Sequence, residues 1–216
     1  PVPAGLNWDF WVGPAVFNDF NWELAPPVEN GMFPNWRNYK EYGNGMTADW
    51  GAHMFDIAQW GLGMDDSGPV AIYPPDDTHK YLTLEYANGV KVTHEDFGRG
   101  YAVRFIGKKG IVDISRETFE TLPGKLSSHV FTDSEIKLYE SNDHYQNWLD
   151  SIKSRQQPIC PAEIGHRTAS VCFLTNIGYE LKRPLRWDPV KEEFENDAEA
   201  NKLRSGVVRK PWALKI

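Results

Sequence analysis

The sequence predicts an α+β fold in which a mainly antiparallel, open sheet has its helices packed on one face. Three stretches of the 216-residue chain support this prediction. Residues 1–42 are rich in Trp, Asn and Pro, residues 79–140 alternate apolar and polar side chains around tight turns, and residues 143–182 have helical spacing. Consecutive strands joined by tight turns form antiparallel sheets, and helices before and after such a sheet indicate an α+β layer arrangement.

The composition is that of an ordinary globular protein and excludes several classes. Hydrophobic residues make up 41% of the chain and charged residues 25%. No apolar run approaches the ~20 residues that a helix needs to cross a bilayer, so we expect no transmembrane segment. The formal net charge of −7, without a basic cluster, argues against a nucleic-acid partner. Cys160 and Cys172 form neither a disulfide framework nor a zinc motif, which favours buried small side chains.

Residues 1–42 predict a long ordered loop, because the prolines among its aromatic residues prevent long regular elements. Tryptophan faces beside Asn and Asp side chains suit a sugar, which has apolar faces and a rim of hydroxyls. Trp11 and Trp36 are therefore candidate substrate-binding residues. An alternative is that the tryptophans of this segment only hold the loop against the core.

Residues 43–63, GNGMTADWGAHMFDIAQWGLG, predict a helix from Met46 to Leu62. The stretch from Gly43 to Ala48 fits the relaxed G-x-G-x-x-G/A pattern of dinucleotide-binding loops. Such a loop must follow a buried parallel strand, but the preceding PNWRNYKEY is polar. We therefore interpret the two glycines as a flexible, closely packed entry into the helix.

A rotation of about 100° per residue divides this helix into two faces. The predicted buried stripe comprises Trp50, Met54, Ile57 and Gly61, and the second face comprises Asp49, His53, Asp56 and Trp60. An imidazole one turn from each of two carboxylates is held in one tautomer, which suits a general acid/base. Three alternatives remain open: Asp49 as a first-turn charge that the helix dipole favours, a metal site, and a solvated face.

The sheet is predicted from residues 79–140. Asn88-Gly89 lies between alternating runs in HKYLTLEYANGVKVTHEDF and predicts a hairpin. Two further strands, YAVRFIG and GIVDIS, follow, and another is expected near SEIKLYE at 134–140. We expect the sheet face that the helices leave uncovered to be unusually apolar, with Leu82, Leu84, Val90 and Val92 as its alternating residues.

Two helices are predicted after the sheet, at 143–154 and 163–182. We take residues 1–183 as one substrate-binding domain and 184–216 as a charged tail that packs back on it. The chain opens PVPAGLNWDFWVGPAV, without an initiator Met or a signal-peptide pattern. We therefore expect it to begin past the start of a longer protein.

The pattern G-x-G-x-x-x-D-x-G-x-H-x-x-D, from Gly43 to Asp56, resembles the C-terminal substrate domain of the Gfo/Idh/MocA oxidoreductases. Further agreement comes from LNWDFWVGPA at 6–15, PAEIGHRTASVC at 161–172 and LRWDPVKEEF at 185–194, followed by EAN and RKPWAL. The resemblance covers nearly the whole chain. It implies an enzyme that uses NAD or NADP and acts on sugars, inositols or related polyols.

By this resemblance, Asp49 and His53 are the catalytic pair on the active-site helix, 43–63. His53 relays the proton of the substrate hydroxyl, and Asp49 orients His53 or binds a substrate hydroxyl. The family holds its cofactor mainly in an N-terminal Rossmann domain, whose E-K-P motif supplies a lysine, and this sequence has no E-K-P. We therefore expect no cofactor-binding residue in this fragment, and an isolated chain that folds without turning over.

Asp56, Arg37 and His166 complete the substrate-binding candidates, with a surface ion pair as the alternative for Arg37 and helix capping for His166. The resemblance also implies a homo-oligomer formed through the exposed sheet face, and no metal. Two other functions remain open at this point. One is a stand-alone carbohydrate-binding module that uses the Trp-rich loop, and the other is an NAD-assisted sugar lyase or glycosidase.

Overall fold

A computed structural model describes residues 1–31, 33–206 and 208–213. The helices are α1 Trp8–Val12, α2 Gly45–Asp49, α3 Gly51–Leu62, α4 His144–Ser154, α5 Ala162–Leu181 and α6 Ala198–Lys202. The strands are β1 Ala71–Tyr73, β2 Leu82–Glu85, β3 Lys91–His94, β4 Val103–Gly107, β5 Gly110–Ile114, β6 Phe119–Leu122, β7 Leu185–Asp188 and β8 Glu193–Phe194. The fold is α+β, which confirms the predicted class.

The strands form two sheets. The larger has the order β3-β2-β1-β7-β8, the smaller has the order β4-β5-β6, and every described strand pair is antiparallel. The predicted hairpin joins β2 to β3, where Gly89 has a φ of +82° and Tyr86 N–H donates to Val90 O over 2.9 Å. The Asn-Gly turn therefore sets the register that pairs Leu84 with Val92.

The main core lies between the larger sheet and helices α3 and α5. Ile72, Leu82 and Leu84 are fully buried and belong to one cluster with Phe55 of α3. Val92 packs against the same cluster. The expectation that Leu82, Leu84 and Val92 mark an uncovered apolar face is therefore wrong, because they face the helices. The side chains on the opposite face of the sheet, among them Lys91 and Thr93, are polar.

The smaller sheet has one face that carries both an ionic row and an exposed apolar row, and one face that packs on helix α3. On the first face, Arg104 pairs in register with Asp113, and two 2.7 Å hydrogen bonds from the guanidinium hold the pKa of that carboxyl below its usual value. On the other face Phe105 lies against Gly61 of α3, where an added Cβ would come within 2.5 Å of the ring. The sheet is therefore fixed directly to helix α3.

Residues 1–42 contain more structure than the predicted loop. Helix α1 begins after Asn7, whose side chain accepts a hydrogen bond from Phe10 N–H. Trp8 is buried in a small second core with Val12 and Leu24, and its ring stacks on Trp11 at 4.4 Å. Arg209 near the C-terminus donates to Asp9 over 2.7 Å, so residues at both ends of the chain contact each other.

Three other details differ from the sequence-based predictions. Residues 134–140 form no strand, and Ile136 and Leu138 are exposed, although the Tyr139 hydroxyl accepts a 2.6 Å hydrogen bond from Asn147 of α4. Strands β1, β6, β7 and β8 were not predicted; each has at most four residues, and no Asn-Gly turn marks them as it marks β2 and β3. Strand β7 pairs with β1, so the start of the expected tail is part of the larger sheet. Helices α4 and α5 agree with the predicted positions.

No helix in the described ranges combines the length and the hydropathy that a membrane crossing needs.

Two glycines of helix α5 give a matched test of this packing. A Cβ at Gly178 would lie 2.6 Å from Ile72 Cγ2 and 3.0 Å from Leu82 Cδ1, whereas a Cβ at Gly165 has no neighbour within 4 Å. Gly178→Ala should lower the free energy of unfolding by about 1–3 kcal/mol through overpacking. Gly165→Ala should leave it unchanged or raise it by up to ~1 kcal/mol, since Ala favours helix. Denaturant unfolding measures both; equal effects would contradict the close contact between α5 and the sheet.

Candidate functional site

The predicted helix from Met46 to Leu62 is two helices, α2 and α3, which meet at Trp50. The backbone of Trp50 is itself helical, so the chain continues in nearly the same direction. The buried residues of α3 are Phe55, Ala58 and Gln59, and not the predicted stripe of Trp50, Met54, Ile57 and Gly61. The predicted stripe is wrong because α3 is covered from two directions. Helix α5 packs on one side of it, and the smaller sheet packs on another side, at Gly61.

The Gly-x-Gly sequence serves a close backbone contact. A Cβ at Gly43 would lie 2.5 Å from Arg37 O, so only glycine lets the segment before the helix approach so closely. Gly45 has a φ of +72° and follows Asn44, which is also left-handed. Tyr39 O accepts the N–H groups of Gly43 and Asn44 over 2.9 and 3.0 Å. These contacts fix Arg37 beside the start of α2.

Arg37, in the segment before the helix, forms an ion pair with Asp49 at the end of α2. The side chains are 16% and 26% exposed, so the pair lies at the edge of solvent. The Arg37 guanidinium also lies 4.5 Å from the centre of the Phe33 ring. Of the two interpretations of Arg37, the structure shows an ion pair, and its partner is the predicted catalytic aspartate.

His53 lies one turn further along, with its side chain exposed. Its ring centre is 5.6 Å from that of Trp50, and Trp50 stacks on Tyr101 at 4.9 Å. Among the described residues, no carboxylate is hydrogen-bonded to the His53 ring. The expected pair of flanking carboxylates is therefore wrong in this conformation, because Asp49 binds Arg37 and Asp56 faces another helix.

Asp56 and His166 have contacts within the domain. Asp56 Oδ1 accepts a 3.2 Å hydrogen bond from Thr168 of α5, which links the two long helices. His166 Nε2 lies 2.5 Å from Glu192 Oε1, and Arg167 donates to the same carboxylate over 3.0 Å. Both predicted substrate-binding residues thus have protein partners away from His53.

Trp11 and Trp36, the two aromatic candidates, line the same cavity. They line a cavity of about 510 Å³ together with Val12, Pro14, Ala15, Glu41, Tyr42, Gly206 and Val208. One face of Trp11 is occupied by Trp8, and Trp36 is 37% exposed. Neither Asp49 nor His53 lines this cavity. The aromatic candidates and the candidates on the helix therefore lie in two separate sites.

A second cavity, of about 590 Å³, lies between helix α3 and strands β3 and β4. Its walls include Met54, Phe55, Val92 and Phe105, and it excludes Asp49 and His53. His94 lines it, and burial lowers the pKa of this histidine. The sequence did not indicate this cavity, because its residues come from elements far apart in the chain. We place the candidate site at His53, where an exposed imidazole lies beside a charged pair.

The implied nicotinamide cofactor does not fit the residues present. The stretch Gly43–Ala48 follows a 3-10 turn at Asn35–Asn38, and none of the described strands is parallel to another. A dinucleotide loop needs a strand that leads into it. The described part of the chain also contains no group of three or more His, Cys, Asp or Glu arranged to hold a metal.

Two comparisons with known proteins bear on this site. No curated protein matches the chain. A family model described as the oxidoreductase family, C-terminal alpha/beta domain, matches residues 1–214. The match includes the Gly43–Asp56 motif, helices α4 and α5 and the two strands after them. Because it spans nearly the whole chain, the protein belongs to the Gfo/Idh/MocA oxidoreductase family, as its C-terminal α/β domain.

Proposed function

We propose that this domain supplies the substrate side of an enzyme that transfers a hydride between a nicotinamide cofactor and the hydroxyl carbon of a sugar or polyol. The observation that supports this most is the position of His53, exposed one turn along the helix from the Arg37–Asp49 pair. The rest of α3 is anchored in the core through Phe55. An exposed imidazole on a rigid helix is the arrangement that proton transfer needs.

In this proposal His53 takes the proton from the substrate hydroxyl, and returns it in the reverse reaction. A neutral imidazole nitrogen can accept a proton in this way. The Asp49 carboxylate has acceptor capacity beyond its bond to Arg37, so it can accept a neighbouring substrate hydroxyl. Tyr101, which stacks on Trp50 and is 55% exposed, offers aromatic surface for the apolar face of a sugar.

NAD or NADP would supply the hydride acceptor when bound. We assign its binding to the dinucleotide-binding domain that the family resemblance implies, since no Gly-rich strand–helix unit is present among the described residues. The residues of this domain are assigned only to substrate binding and proton transfer.

His53→Ala tests the assignment in the protein that carries this domain together with a dinucleotide-binding domain. The kcat for NADH formation from a sugar or polyol should fall about 10²–10⁴-fold, the usual contribution of a general acid/base. KM should change little, because the ring acts on the proton in transfer. The matched control is His144→Ala, an exposed histidine at the start of α4, which should retain full turnover. Full turnover in His53→Ala would refute the assignment.

The cavity at Trp11 and Trp36 supports a second candidate, a carbohydrate-binding module. Its 510 Å³ and its aromatic lining with Glu41 suit a sugar ring with hydroxyls at the rim. In that function Asp49 and His53 would be dispensable for binding, and the loop tryptophans would be essential.

We also propose that the domain assembles with a second copy of itself through the smaller sheet. The chain exposes 15259 Å², against the ~10,000 Å² expected of a compact monomer of 24.7 kDa. The excess, about 5,000 Å² for one chain, is more than the ~1,000–2,500 Å² that each partner buries in a permanent dimer, so an interface on this sheet accounts for only part of it. One row of that sheet, Ile106, Ile111 and Leu122, pairs in register, and Ile106 and Leu122 are 77% and 66% exposed.

Ile106→Asp should therefore convert an oligomer of this chain to a monomer in sedimentation analysis. A charge there would have to be desolvated in an apolar interface. Val190→Asp is the matched control, since Val190 is 87% exposed but lies between β7 and β8. A wild-type monomer at all concentrations, or an oligomer that Ile106→Asp leaves intact, would overturn this proposal.

A further inference from the structure

The turn between β5 and β6 holds an arginine in a defined position. Ser115 N–H donates to Thr118 O over 2.8 Å, and Ser115 Oγ accepts the N–H groups of Glu117 and Thr118 over 3.2 and 3.0 Å. Strand pairing continues directly from this turn, with Ile114 opposite Phe119. The backbone of Arg116 is thus fixed by the hairpin.

The Arg116 side chain reaches across to the candidate site. Its guanidinium carbon lies 4.8 Å from the centre of the Trp50 ring. The same indole stacks on Tyr101 and lies 5.6 Å from the ring centre of His53. A cation over an aromatic face is attracted to it, which favours this position of the guanidinium. Arg116 and His53 therefore both contact Trp50, from two different elements of the fold.

The charge of Arg116 is not neutralised within the described part of the chain, where no carboxylate lies within 4 Å of its guanidinium. The other arginines of the smaller sheet and of the site do have such partners. Arg37 binds Asp49, Arg104 binds Asp113, and Arg99 binds Asp113 and Glu120. A guanidinium is a planar fork of donors that matches a carboxylate in two parallel hydrogen bonds.

We propose that Arg116 binds a carboxylate of the substrate, so that the site takes sugar acids, such as uronates or aldonates, in preference to neutral sugars. This inference rests on the proposed function, because it needs a sugar at His53. The exposed ring of Tyr101 would contact the apolar face of the sugar, and Arg116 would bind the acidic end. The other arginine of the site, Arg37, is already neutralised by Asp49. Arg116 is therefore the residue that would select for an anionic substrate.

Ligand-observed NMR with the 216-residue chain tests this, because it detects weak binding. The probes are D-glucuronate, D-glucose and glucose 6-phosphate, which share a ring and differ in the group at carbon 6. Glucuronate should bind at least tenfold more tightly than glucose, and the ratio should fall as salt screens the contact. Arg116→Gln should bring the ratio close to one, and Arg116→Lys should restore part of it.

Arg99→Gln is the matched control, because it removes the same charge from the same sheet where carboxylates already bind it. Its glucuronate preference should stay within twofold of the wild type. Equal binding of glucose and glucuronate by the wild type would overturn the inference and leave the proposed function standing. Tighter binding of the phosphate would overturn the carboxylate assignment. Binding of none of the three would contradict the proposed sugar site itself. Thermal unfolding of each variant shows that it is folded.

Discussion

The ion pair between Arg37 and Asp49 connects the N-terminal segment to the active-site helices, and the candidate site depends on it. The two residues are twelve positions apart and come from different elements. Gly43 permits the contact because its missing side chain lets the Arg37 backbone approach. With about a quarter or less of each side chain exposed, the pair is less screened than a surface salt bridge. It orients a carboxylate towards the same solvent edge as His53.

The position of His53 follows from how α3 is covered. One side of the helix faces α5, through Phe55 in the core and the hydrogen bond from Thr168 to Asp56. The smaller sheet covers a second side, where Phe105 contacts Gly61. The remaining side carries His53 and the exposed Trp60. Burial of two sides of one helix thus leaves a narrow polar strip for chemistry.

The parts of the fold that depend on local signals could be predicted from the sequence. The Asn88-Gly89 hairpin and helices α4 and α5 lie where turn chemistry and helical spacing placed them. The motif from Gly43 to Asp56 indicated the family, and the match over residues 1–214 confirms it. Strands β1 and β7 escaped prediction, because their pairing is made between distant parts of the chain.

The candidate site was predictable as a set of residues but not as a set of contacts. Helical spacing placed His53 near two aspartates, yet spacing cannot show that Arg37 and Thr168 bind those carboxylates instead. Tyr101 and Arg116 reach the site from loops next to the smaller sheet, which contacts α3 through Phe105. Trp11 and Trp36 of residues 1–42 likewise line a cavity separate from His53. Spacing could not show this, because the position of Trp11 depends on its stacking against Trp8.

The most direct test of this account compares sugar binding by Gly43→Ala and Trp36→Ala in the 216-residue chain. An added methyl at Gly43 meets the Arg37 backbone and should separate Arg37 from Asp49. Gly43→Ala should weaken sugar binding at least tenfold, while Trp36→Ala should leave the affinity within twofold of the wild type. Unchanged binding in Gly43→Ala together with its loss in Trp36→Ala would contradict the account and place the sugar in the tryptophan-lined cavity.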